Sequence, residues 1–188
     1  LLAGLAISNA IVFFTLSAHY YQVIQSLSSS SFSYVFILVA LSWVLGSIYS
    51  QFLIKHFGSL NAITIASIGA CVTAFVGHAL TYSPALQYNA FTSLSCICMI
   101  MIHTGVIIPN SITLALANQD KNVGAASSVM GFVYNMIAAI VTHLACLGPQ
   151  SDVHYFHKVF VFINCVTIAI LLIYRLRDRF HYATAHKP

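Results

Sequence analysis

The chain has 188 residues, of which 60% are hydrophobic and only 5% charged. A water-soluble domain carries about 25% charged residues, so this composition excludes one and calls for lipid as the solvent. The formal charge of +4 is small and scattered, which excludes a nucleic-acid footprint.

Six runs have the length and apolarity of a bilayer-crossing helix: about 3–25, 32–53, 60–80, 90–117, 123–146 and 158–174. The fold class that follows is all-α, a polytopic membrane bundle filling residues 1–174, with a basic tail over 175–188. The opening "LLAGLAISNA" has no initiator Met, no basic stretch and no small-residue cleavage site. It does not read as a signal peptide, and the expectation is that the chain begins inside a larger protein.

On the first span Ser8, Thr15, His19, Gln22 and Ser26 share one helical face, interrupted only by Val12. Polar groups turned into hydrocarbon lose their hydrogen bonds at a cost of several kcal/mol, on the order of the amide transfer cost. This face therefore meets water or protein, either as the wall of a cavity or as hydrogen bonds between helices. For His19 both readings stand, a substrate contact or a core histidine. Tyr20 adds aromatic surface beside it.

The second span repeats small residues at Ser42, Gly46 and Ser50, and the third at Gly69, Thr73 and Gly77. In lipid such stripes let backbones approach closely. The fourth span places Cys96, His103 and Asn110 seven residues apart. Pro109 removes a backbone donor and reads as a kink that a membrane bundle tolerates, with Asn110 free to bond to another helix. The fifth span carries the most regular stripe: Gly124, Ser128, Gly131, Asn135, Ala138 and Thr142. Asn135 is the one member that suggests more than packing. The sixth span is the shortest, preceded by a connector in which His154 and His157 read as exposed loop residues.

Lys55, Lys121, Arg175, Arg177, Arg179 and Lys187 fall on one side of these spans, and Lys158 alone on the other. The richer side is expected to be cytoplasmic, which places both ends of the segment there. No Asp, Glu, Lys or Arg lies deep in a span, leaving His19, His103 and His143 as the titratable groups at depth. The five cysteines read as small apolar core residues. No spacing suggests a metal site or a cofactor. A six-span intramembrane serine protease would need a Gly-x-Ser-Gly motif beside a histidine base; none occurs, so no catalytic residue is assigned and an enzyme is not expected.

The stretch "IIPNSITLALANQDKNVGAASSVMGF" resembles the carboxyl-terminal half of major facilitator superfamily transporters, most closely the Bcr/CflA-type drug-resistance proton antiporters. Those proteins carry a Pro-Asn near the cytoplasmic end of their tenth helix and a run like "AGTASSLxG" opening the eleventh. The match lies at Pro109, Asn110, Gly124, Ala126, Ser127, Ser128 and Gly131. A second stretch, "FSYVFILVALSWVLGSIYSQFLIKHFGS", is similar to the family's eighth helix and basic loop through Phe32, Phe36, Gly46, Lys55 and Gly58. Ala18 and His19 stand where the family's seventh helix often has Ser-Pro, so the resemblance speaks to fold further than to substrate.

The resemblance implies half of a major facilitator fold, a 3+3 inverted repeat that works with a missing amino-terminal six-helix half about a midplane site. It implies proton-coupled efflux of drugs or other small amphipathic compounds across a cell inner membrane. The alternatives are a facilitator importer or metabolite exporter, and a non-transporting membrane scaffold subunit. Partners would be the lipid bilayer, the other half, a small-molecule substrate and protons. Thr15, His19, Tyr20, Gln22, His103, Asn110 and Asn135 are the expected cavity residues. Gly46, Lys55, Gly58, Pro109, Gly124, Ser128 and Gly131 are the expected gating and helix-packing residues.

Overall fold

The computed structural model describes residues 1–86, 89–117, 119 and 122–185, with side chains described through 177. Lys121, Lys187 and the side chain of Arg179, all counted in the orientation above, lie outside these described residues. The elements are α1 (Leu2–Ala18), which runs on into a π-helical turn (His19–Ile24), α2 (Ser29–Phe57), α3 (Ser59–Leu80), α4 (Ala90–Leu116), α5 (Val123–Cys146) and α6 (Tyr155–Ala185). The described residues contain six helices long and apolar enough to cross a membrane. The last helix is described from Tyr155 past 174 to Ala185.

Local chemistry sets the helix ends. The Ser28 side chain accepts the Ser31 N–H at 3.2 Å to open α2, and Asn89 accepts the N–H groups of Phe91 and Thr92 to open α4. Such caps contribute about 1 kcal/mol each. Gly58 closes α2 at φ +78°, a conformation that strains any side chain, and α3 starts at the next residue. Pro109 lies inside α4 without ending it.

The packing has internal symmetry. α4 packs against α2, α3 and α1, while α1 packs against α5, α6 and α4, and α3 packs on α6. Exchanging the first three helices for the last three maps this pattern onto itself: α1 with α4, α2 with α5, α3 with α6. That is the arrangement of a 3+3 repeat. The symmetry is less close between α5 and α6 than between α2 and α3: the Tyr155 hydroxyl of α6 donates to the Ala145 carbonyl of α5 at 2.7 Å, and beside it a cleft of about 360 Å³ lies between Val141, Leu144, Val159 and Phe162.

Small residues decide how close helices come. A Cβ on Gly46 would collide with the backbone carbonyl of Ile102, and one on Gly105 would stand 2.5 Å from the Trp43 carbonyl oxygen. α2 and α4 therefore meet backbone to backbone. The stripe on α5 behaves otherwise. Nothing lies within 4 Å of a Cβ on Gly124, and Gly131 meets only Tyr134 of its own helix. Gly124 and Ser128 are exposed, so among the described residues Gly124, Ser128 and Gly131 do not make the close helix contacts expected of them. With Ile137 against Gly4 of α1, this part of α5 runs past Leu2, where α1 starts; further along the same stripe Ala138 and Thr142 are buried, with Ala145 beside them. Large apolar side chains elsewhere, such as Phe75, Phe132 and Phe162, point outward, as expected where the solvent is hydrocarbon.

Candidate functional site

Two polar regions emerge from this packing. The first is an open face on α1 and α5. Ser8, Val12, Thr15 and His19 lie on one side of α1, yet Ser8 and Val12 are fully buried while Thr15 is exposed. The reason is the length of α5. Gly4 lies beside Ile137, and with a rise of 1.5 Å per residue the end of α5 at Cys146 falls near the level of Phe13. Below that level α5 covers the face of α1; just above it Thr15 is left uncovered. Thr15 there donates to the Ile11 carbonyl at 2.8 Å. His19, half-buried, lines a small space with Gln150, Tyr155 and Phe156 where the chain turns from α5 into α6. Gln22, also half-buried, sits in the π-helical turn one step further on.

The same alignment separates residues expected to act together. Asn135 lies two residues before Ile137, and Thr15 lies eleven beyond Gly4, so the two differ in depth by about 20 Å. Asn135 is exposed and donates to the Gly131 carbonyl at 2.8 Å. His103 also leaves the group: its ring lies over Gly69 of α3, where a Cβ would stand 2.5 Å from it. Thr15, His19, Gln22, His103 and Asn135 do not line one chamber of this chain. Helical periodicity gave them shared faces, but neighbours and depth decided what each face meets.

Asn110 is buried and clasps α4 to α2, its amide donating to the Ser50 hydroxyl at 2.7 Å and to the Val106 carbonyl at 2.7 Å. Pro109 beside it is exposed. Lys55 lies in the last turn of α2, where a cation favours the helix dipole. At the same end Arg175 of α6 donates to the Asn61 side chain of α3.

The second region is buried and lies at the end of the bundle away from Lys55, next to His19. The π-helical turn places the successive residues Tyr20 and Tyr21 both inside, at 2% and 0% exposure. Tyr20 stacks on Phe156 with ring centroids 4.3 Å apart. Its hydroxyl accepts from the Gln25 amide at 3.1 Å and lies 3.5 Å from His157 Nε2. The Tyr21 hydroxyl meets Ser93 Oγ at 3.3 Å, and Ser93 meets His157 Nε2 at 3.0 Å. His157 is 1% exposed, which corrects its reading as a loop residue. Tyr20 is thus a core residue of this network rather than part of an open wall. At the rim, Thr81 Oγ1 lies 2.7 Å from His154 Nδ1. Asp152 accepts the His154 N–H at 2.9 Å and pairs with Lys158 at 3.6 Å. That backbone hydrogen bond, with Lys158, holds the Asp152 carboxyl below the usual range.

A further pair joins α1 to α6: Asn164 donates to Asn9 Oδ1 at 3.2 Å, and Asn9 donates back at 3.5 Å. The sequence does hold a signal for these residues. His157, Phe160, Asn164, Thr167 and Leu171 recur at intervals of three and four, and all five are buried.

No family model matches the sequence, and no solved structure matches it. Among curated proteins, it is similar to one described as an uncharacterized MFS-type transporter, YdgK, of Bacillus subtilis (strain 168), MFS denoting the major facilitator superfamily. The two are 26% identical over 134 residues, covering 71% of this chain and 32% of that protein. The chain thus spans about a third of the length of the relative it matches.

Proposed function

We propose that this chain is a six-helix unit of a secondary transporter of the major facilitator type. The six apolar helices and the likeness to an MFS-type transporter support a multi-pass membrane transporter. The observation that carries the reading further is the open face of α1. Beyond the end of α5, Thr15 is exposed and His19 and Gln22 are half-buried. Polar groups facing hydrocarbon would be unfavourable, so a second helical unit or water must meet them. A second six-helix unit, the amino-terminal half of the same fold, fits that need. Alternating access then follows from rocking the two units about the open face of α1. Proton-coupled efflux of small amphipathic compounds is the favoured activity, by resemblance. A scaffold subunit would not need polar groups on an uncovered face.

The test is transport. The chain, reconstituted together with the amino-terminal half of its reading frame, is expected to move a lipophilic cationic dye in response to an imposed pH gradient. Vesicles holding both halves that show no gradient-dependent movement of dye would count against coupled efflux.

The proposed orientation places the ends and Lys55 in the cytoplasm, at a cell inner membrane. In a cysteine-free background, cysteines at Ser30 and Ser83 are expected to react with an impermeant thiol reagent in intact cells. One at Ser59 should be protected. Equal labelling at all three positions would reject the orientation.

A further inference from the structure

His157 Nδ1 has no hydrogen-bond partner although the residue is 1% exposed. In either tautomer this nitrogen is a donor or an acceptor that needs one. Beside it lies a small space of about 10 Å³, bordered by Tyr20, Gly77, Thr81, Ser93, Cys96 and His157. That is room for one water molecule. The space exists because position 77 is glycine: a Cβ there would stand 3.0 Å from Nδ1 and 3.2 Å from Cys96 Cβ.

We propose that this space is a water site, and that its water links His157 Nδ1 to the Thr81 hydroxyl. The polar contacts on both sides then run in one direction. Tyr21 O–H donates to Ser93 Oγ, and Ser93 O–H donates to His157 Nε2, over the 3.3 and 3.0 Å contacts. His157 Nδ1–H donates to the water, and the water donates to Thr81 Oγ1. Thr81 in turn donates to the His78 carbonyl at 2.7 Å and accepts from His154 Nδ1 at 2.7 Å. In this arrangement Nε2 of His157 accepts and Nδ1 carries the proton. The chain of contacts ties the π-helical end of α1 to α4, α6 and α3, with the water as its one exchangeable link. Its consequence rests on the transport reading: opening this end of the bundle requires the water to leave.

Nitrogen-15 histidine spectra of the protein in lipid nanodiscs test the site itself. The His157 signal, identified by its loss in His157→Gln, is expected to show the Nδ1–H tautomer with magnetisation transfer from water. Gly77→Ala fills the space and is expected to remove that transfer while the signal persists. Thr81→Val deletes the water's acceptor and should weaken the transfer at least severalfold, which serves if Gly77→Ala does not fold. Absence of water transfer in the parent protein, or its persistence at full strength in the folded variants, overturns the proposal. Transport failing in vesicles would leave these spectra unchanged, so the two readings fail separately.

Discussion

Gly46→Leu is expected to abolish the folded bundle, while Gly131→Leu leaves it intact. Both glycines sit in stripes of small residues, yet their surroundings differ. Even a methyl group at 46 would collide with the Ile102 carbonyl, and that oxygen belongs to a helix backbone that cannot turn aside. On α4, Gly105 faces the Trp43 carbonyl at 2.5 Å, so one substitution separates α2 from α4 along the whole contact. A loss above about 4 kcal/mol is expected, in the range reserved for core overpacking and backbone clashes. At 131 the nearest atoms to a Cβ are 4.0 Å away, on the flexible Tyr134 ring of the same helix. Thermal unfolding and size-exclusion profiles of the purified variants in detergent check both. A Gly46→Leu protein as stable as the parent would refute the close approach of α2 and α4. Unfolding by Gly131→Leu would refute the open face of α5.

The second large effect is expected at the Asn9–Asn164 pair. Each amide is 1% exposed and each donates to the other. Asn164 also donates to the Phe160 carbonyl at 2.8 Å. Replacing either Asn by Leu strands the partner's amide in an apolar interior, a loss of about 1–3 kcal/mol. Replacing both removes the stranded group, so the double variant is expected to lose less than the sum of the singles. The coupling should reach about 1 kcal/mol, in the range of interhelical hydrogen bonds in membrane bundles. Unfolding of the four proteins in a detergent titration gives the cycle directly. Strictly additive losses would mean that the two amides do not stabilise each other.

His157 shows why part of the buried site was hard to read from sequence. It stands beside the exposed Lys158 and three residues after His154, in the most polar connector of the chain, and so it reads as loop. Its burial depends on α6 starting at Tyr155 and on Tyr20, Ser93 and Gly77 arriving from three other helices. The stripe through Phe160, Asn164 and Leu171 marks its face, but a stripe does not say which partners come to it.

The sequence by itself determined the solvent, the six spans and the class of fold, because apolar length and the scarcity of charge are properties of the chain alone. It also marked Gly46 and Asn110 as places where helices meet, since small residues and an amide beside a proline have local consequences. Only the tertiary structure decided which marked residues share a site. Thr15 and Ser8 lie on one face of α1, and the end of α5 makes one exposed and the other buried. Asn135 and Thr15 both face outward, and the alignment of α1 with α5 keeps them about 20 Å apart along the bundle. Periodicity fixes the direction of a side chain around its own helix. Depth and neighbours are set by how helices slide and pack against one another, and that depends on contacts between residues far apart in the sequence.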